Sequence, residues 1–328
     1  MGLTVQREEL DDLEPEWREL LAACACHRVF LSPTWLRTWW DVFADGRELV
    51  LLSAREGGRL VAVVPLMRDG TTLSFAGDTQ ICDYMDVAAL DGRTDVMDAV
   101  LRSVSEESWQ EMVLWGMRED SPTLAALRSS CDGLGLVASI QEEDVCPQVS
   151  LPSASGGWDQ YLEGLPKKDR HELRRKLRRL PQAGEVALEV LEAPPEIEAA
   201  LDDFVRLYSA SRADKAAFLS GQMERFFRRI PVALAAEGLV ELAFLTLGGR
   251  RAAAVLCFRS EDEVLLYNSG YDPAFSAFSV GLLSKALTLR RAIEQGKRTF
   301  DFLRGPEPYK YDLGARDLKV YRCVIRRS

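Results

Sequence analysis

The sequence has 328 residues, 47% of them hydrophobic and 28% charged, with a formal net charge of −10. The length suggests two domains, and the composition suggests a globular chain with apolar residues enough for a large core. The acidic balance argues against general nucleic-acid or DNA binding, and no apolar run reaches the roughly 18 residues that a membrane span needs.

The opening MGLTVQREELDDLEPEW is acidic and lacks the apolar core of a signal peptide. Gln6 stands where a myristoylation site needs Ser or Thr. A cytoplasmic location is therefore expected. Seven cysteines without a repeated C-x-x-C point to reduced thiols rather than disulfides or a zinc ribbon. Cys24, Cys26 and His27 lie close together, but no fourth ligand follows at zinc-like spacing, and they read as small buried hydrophobes. The only histidines, His27 and His171, argue against a His-activated Ser or Cys nucleophile.

The first strong helix is SPTWLRTWWDVF, with Ser32 as N-cap and Pro33 at the first helical position. Trp35, Leu36, Trp39, Trp40 and Phe43 share one face, which reads as core. ELVLLSAREGGRLVAVVPLM (48–67) then reads as strand, Gly-Gly turn and strand, and TTLSFAG (71–77) as a further strand. GDTQICDYMDV follows and places Asp83 and Tyr84 at a strand end after a Gly-containing loop. An Asx turn at Asp83 is the alternative. CPQVSLPSASGGW (146–158) combines Pro, Ser and Gly, and sets domains of 1–150 and 151–328.

The second domain opens with PKKDRHELRRKLRRL (166–180), eight Lys/Arg between Lys167 and Arg179. Arg170, Arg174 and Arg178 recur every fourth residue on one face, and Leu173, Leu177 and Leu180 form the apolar stripe. A solvated face is the usual reading of such a run. In an acidic chain it also reads as a site for CoA phosphates or an anionic substrate. LVELAFLTLGGRRAAAVLCF (239–258) and EVLLYNSG (263–270) repeat the hairpin-and-strand order of the first half, with Gly-Gly-Arg again at the turn. VGLLSKALTLRRAIEQGKR is an amphipathic helix with Leu282, Leu283, Ala286, Leu289 and Ile293 as its buried stripe and Gly296 as C-cap. FDFL and LKVYRCVIRR are the last strands. The duplicated order implies two similar mixed α/β domains.

Gly270-Tyr271-Asp272, a helix, Asp301-Phe302, Gly305 and Tyr309-Lys310 occur in that order. This pattern resembles the C-terminal signature of the GNAT-type acyltransferases described as cellulose-biosynthesis CelD/BcsL-like, relatives of the Fem peptidyltransferases. LSPTWLRTWWDVF, GGRLVAVVPL and CDYMD resemble the N-terminal half of the same family, so the resemblance spans nearly the whole chain. It implies tandem GNAT-like domains with mixed sheets flanked by helices. It also implies direct transfer of an acyl group from acyl-CoA to an amine acceptor, without a metal.

Such chemistry asks for N–H donors at a helix start for the pyrophosphate, an exposed strand edge for the pantetheine, and groups to move a proton and hold an oxyanion. Tyr267, Asn268 and Ser269 at a strand end, with Ser279 as cap and Val280 and Gly281 behind it, are the candidate cofactor residues. A small Gly281 would let a phosphate approach, although FSAFSVG is poorer in Gly and basic residues than the usual GNAT phosphate loop. Lys310 is the candidate anion or oxyanion contact, Tyr309 the acid for the thiolate, and Glu307 or Asp301 the base. Asp83 is the acidic residue of the first domain, with Asp86 second. Arg170, Arg174, Arg178, Arg304 and Tyr84 are candidate substrate contacts, the acceptor itself being a small amine that an anionic group would suit. The alternative for the loop is an internal cluster of Asp301, Arg304, Glu307 and Lys310 that ties it down. Two other functions stay open. One is a Fem-like transferase using aminoacyl-tRNA, which the basic helix favours and the lack of a long coiled-coil arm disfavours. The other is a non-catalytic GNAT scaffold in polysaccharide synthesis.

Overall fold

The computed structural model describes residues 2–24, 29–105, 107–219 and 221–327. Cys26 and His27 lie outside the described residues. The chain divides into two compact units, Met1–Val145 with Leu318–Ser328, and Cys146–Asp317. The sequence reading put residues 318–328 with the second half; here they belong to the first unit.

The first part of the chain runs β1 (Thr4–Arg7), α1 (Leu10–Ala23), α2 (Pro33–Phe43), β2 (Glu48–Glu56), β3 (Arg59–Asp69), β4 (Thr72–Phe75), β5 (Ala88–Ala89), α3 (Val96–Val104), β6 (Glu111–Arg118), α4 (Pro122–Asp132) and β7 (Leu136–Ser150). The second part runs α5 (Gly157–Gly164), α6 (Lys167–Arg179), β8 (Val186–Leu191), α7 (Pro194–Ser211), α8 (Ala213–Phe218), α9 (Gln222–Ala235), β9 (Val240–Leu247), β10 (Arg250–Arg259), β11 (Glu263–Tyr271), α10 (Val280–Glu294), β12 (Thr299–Asp301), α11 (Pro308–Asp312) and β13 (Arg316–Arg327).

In the first unit the strand order is β1-β2-β3-β4-β6-β13, with β4 and β6 parallel across the α3 crossover and the other pairs antiparallel. The β2–β3 turn uses Gly57 and Gly58 at φ 57° and 87°, values that only glycine takes without strain. Ser32 caps α2 by accepting from Trp35 N at 3.1 Å. Trp35 and Trp39 are buried, and their indole N–H groups donate to Cys82 Sγ at 3.1 Å and Asp78 Oδ2 at 2.9 Å. The tryptophan stripe is core, and its polar edge holds the 77–87 loop.

The second unit repeats the order as β8-β9-β10-β11-β12-β7, with β11 and β12 parallel across α10. Its turn uses Gly248 and Gly249 at φ 56° and 76°. The sixth strand of each sheet lies outside the run of the other five: β13, from the end of the sequence, closes the first, and the end of β7 (Gln148–Ser150), which precedes β8, closes the second. The second core lies between the sheet and α10, where Leu283, Ala286, Leu289 and Ile293 meet Val255, Leu266 and Phe300. Leu173 and Leu180 of the basic segment are buried in the same core, with Leu177 packed against it.

Candidate functional site

The site grows out of one irregularity in the second sheet. β11 pairs with β10 along its length, but the register shifts so that Asn268 faces Leu256 and Leu266 faces Cys257. Tyr267 is the extra residue of a bulge, the device that bends a strand and ends its neighbour's pairing. On the other side β11 pairs with β12 only from Glu263 to Leu265. Residues 266–271 therefore present an edge with no strand beside it among the described residues. The connection then runs through a 3-10 turn, Pro273–Phe278, into α10. Gly270 is required here: a Cβ would lie 2.3 Å from Tyr208 N, because α7 rests directly on the strand.

Two lysines reach this opening. Lys215 Nζ, from α8, donates to the Ser269 carbonyl at 2.6 Å and lies 4.7 Å from the centre of the Tyr208 ring. Lys285 Nζ, from α10, donates to the Gly281 carbonyl at 2.7 Å and lies 4.8 Å from the centre of the Tyr309 ring. Burial pushes Lys285 down to about 7, with the charge of Lys215 adding to it; burial and then Arg212 push Lys215 down to about 8. Sequence reading missed both. Lys285 had a signal, since it sits three residues after Leu282 and four before Leu289, inside the apolar stripe. Lys215, on a short helix, had none.

The loop that ends β12 is built around Lys310. This side chain is 1% exposed, and its ammonium donates to the carbonyls of Leu303, Arg304 and Gly305 at 2.8, 2.9 and 2.8 Å. Glu307 Oε2 forms an ion pair with it at 2.8 Å, off the hydrogen-bonding direction of the carboxylate. An ammonium has three N–H groups, and the loop carbonyls take all three. The expected anion or oxyanion contact is corrected on that ground: Lys310 holds the loop. Asp301 is fully buried, accepting from Leu303 N and Gln148 Nε2 at 2.7 Å each. Leu303 has φ 57°, so the Asp301 carboxylate clips a strained turn and offers no base to a cleft. Gly305 lacks a Cβ because one would meet Glu307 Oε2 at 2.9 Å.

Tyr309 packs edge-on against Phe302, and burial, followed by the charge of Glu307, pushes its phenol well above the usual range. It is thus held protonated, as a proton donor must be. Tyr267 stacks on Phe227 at 5.5 Å and lies 4.6 Å from Phe258, so its ring is packed into the sheet; half-buried Asn268 follows it. Ser279 is left-handed at φ 57° and its side chain makes no cap, against the sequence expectation, because the turn reverses there. Val280 is buried in the core, leaving only its backbone for a ligand. Gly281 does not leave room for a phosphate: Tyr271 fills the place of its Cβ, with Cδ1 2.8 Å away.

On α6, Arg174 and Arg178 are exposed, whereas Arg170 is half-buried and donates to the Glu163 carbonyl at 3.1 Å. The guanidinium of Arg179 lies 6.0 Å from the centre of the Phe278 ring, so the basic helix ends beside the start of α10. Arg304 is half-buried on the Lys310 loop. In the first unit, Asp83 and Tyr84 lie in the loop between β4 and β5 rather than at a strand end. Tyr84 is buried against Phe30 with the Arg118 guanidinium 5.4 Å from its ring centre, and Asp83 is half-buried.

Residues 167–311, within the second unit, match the family model described as an acetyltransferase (GNAT) domain. Similar solved structures are tandem and Fem-type folds. FemX shares 12% identity, with 97% of this chain and 96% of that chain covered and a TM-score of 0.65. L-PGS from Bacillus licheniformis shares 13%, over 98% and 93%, at 0.61. A tandem GNAT protein from the clavulanic acid biosynthesis pathway shares 13%, over 98% of both chains, at 0.54. These likenesses establish the fold, mixed α/β with helix-flanked sheets as in tandem GNAT proteins. No curated protein matches the chain.

Proposed function

We propose that the protein is an N-acyltransferase of the CelD/BcsL-like type, acting in the cytoplasm, with a GNAT-like domain in each of its two units. It would move an acyl group from acyl-CoA to a small amine. The observation that carries this reading is the opening between β11 and β12, inside the matched domain, with α10 starting uncapped at its far end. The unpaired edge at 266–271 suits the amides of an extended pantetheine. Leu282 and Leu283 already donate to the Ser279 carbonyl, so the N–H groups of Val280 and Gly281, with Arg179 beside them, are the ones that would meet a pyrophosphate, approaching from the α6 side rather than through the space that Tyr271 fills.

In the reaction the neutral amine attacks the thioester carbonyl, the tetrahedral oxyanion collapses, and the C–S bond breaks as the C–N bond completes. Tyr309, kept protonated by burial, gives its proton to the leaving thiolate. Glu307, whose charge acts on Tyr309, is the candidate acceptor of the amine proton. Asp301 and Lys310 act by holding the loop that carries both.

Purified protein incubated with acyl-CoA thioesters and a panel of amines should release thiol and form amide in equal amounts. Thiol release at the uncatalysed rate for every thioester would contradict the reading. The second reading, transfer from aminoacyl-tRNA, draws on the exposed Arg174 and Arg178 and on the FemX-like fold. It predicts salt-sensitive tRNA binding that Arg174→Gln with Arg178→Gln removes.

A further inference from the structure

Lys285 is withdrawn from water and Lys215 is half-buried, and neither pairs with a carboxylate among the described residues. Lys285 is 7% exposed. Each ammonium has three N–H donors, and the bonds to Ser269 and Gly281 are the single hydrogen bond that each makes among the described residues. Neither forms an ion pair among those residues. Two acids act on the pair, and both are committed elsewhere: Glu307 to Lys310 at 2.8 Å, and Asp214 to Arg212 at 2.7 Å. From β10 the pair is faced by Cys257, which burial keeps protonated, and from α8 and α11 by the cations Arg212 and Lys310. A buried ammonium without a counter-charge is costly, so such groups are normally paired. Among the described residues no carboxylate is paired with either.

We infer that Lys215 and Lys285 bind a carboxylate carried by one of the two substrates, beside the unpaired edge of β11. The inference rests on the acyl-transfer reading of that edge and names the chemical class of its substrate. A carboxylate offers one oxygen to each ammonium. The donors are two point charges from two elements, each with N–H groups to spare. Binding restores the proton that burial weakens, so each anion bound takes up a proton near neutral pH and above.

The test uses the full chain labelled with 13C at the lysine Cε positions, titrated by NMR from pH about 6 to about 10. The probes are sodium acetate, inorganic phosphate and, as a neutral control, acetamide. Acetate should move the midpoints of Lys215 and Lys285 upward and leave exposed lysines alone. Its affinity should fall about tenfold per pH unit between the two midpoints and up to about a hundredfold per unit above both, where two protons must be taken up. Lys285→Met and Lys215→Met should each weaken acetate at least about tenfold. Midpoints that acetate leaves unmoved overturn the inference, with no variant needed. Midpoints moved by phosphate alone overturn the carboxylate assignment. Thiol release that proceeds while acetate has no effect removes the carboxylate subsite and keeps the acyltransferase. Acetate binding without thiol release from any acyl-CoA removes the acyltransferase and keeps the subsite.

Discussion

The ammonium of Lys310 lies 2.8 Å from the carbonyl oxygen of Gly305, five residues before it in the same loop. That contact and its two companions turn a run of ionisable residues into a structural clasp. Replacing Lys310 by Ala leaves three loop carbonyls, that of Leu303 buried, and the half-exposed Glu307 carboxylate without their partner. The expected loss is about 1–3 kcal/mol, the scale for leaving a buried hydrogen-bonding group unsatisfied. Urea unfolding reads it directly, and an unchanged midpoint would mean that the clasp contributes nothing.

Tyr309→Phe removes the proposed donor to the thiolate and keeps the ring between Phe302 and Lys285. Turnover should fall roughly 100-fold or more, as for loss of a general acid, while stability stays within about 0.5 kcal/mol. The loss should shrink with thioesters whose thiols are more acidic, because those leave without help. A uniform loss across such a series would assign Tyr309 to binding.

Lys285 gives a pH dependence of defined sign. Its ammonium is disfavoured in the folded protein, where it titrates at about 7, and is normal in the unfolded chain at about 10.4. Below about 7 both states carry the proton and the full cost of burial is felt. Between the two values the unfolded chain alone binds it, so stability rises with pH by up to about 1.4 kcal/mol per unit. Lys285→Met lacks this slope. The variant should be the more stable protein near neutral pH, with the gap closing as pH approaches 10. Denaturant titrations at several pH values measure both curves, and parallel curves would place the lysine in a solvated site.

Arg174 and Arg178 are free of the contact that holds Arg170. Changing these two to Gln should raise KM for acyl-CoA roughly two- to thirty-fold, the range expected for two exposed charge contacts. Turnover should move less, since such contacts hold ground and transition states alike. Added salt should imitate the variant in the wild type. A KM that ignores both changes would leave α6 as a solvated face.

Much of the fold was legible because its signals are local. The Gly-Gly hairpins, the Ser32 cap and the stripe of α10 follow from neighbours within a few residues. The source of the sixth strands was not legible. β13 pairs with β6 about 200 positions away, and a lone apolar strand at a chain end does not name its partner. At the site, the Asp301–Lys310 loop was found by its density of charge, yet its roles were misread. A charged side chain looks the same in sequence whether its donors face a substrate or the loop's own carbonyls. Lys285 went unremarked, although its spacing from Leu282 and Leu289 sets it within the stripe that buries it.

The most direct measurement of the central claim is hydrogen exchange by mass spectrometry with and without acyl-CoA. The account predicts slowed exchange at residues 266–271 of β11 and in the first turn of α10, where the unpaired edge and the bare N–H groups lie. The β9–β10 hairpin, already fully paired, should not change. Protection confined to other elements, or absent at saturating acyl-CoA, would contradict the placement of the donor in this opening.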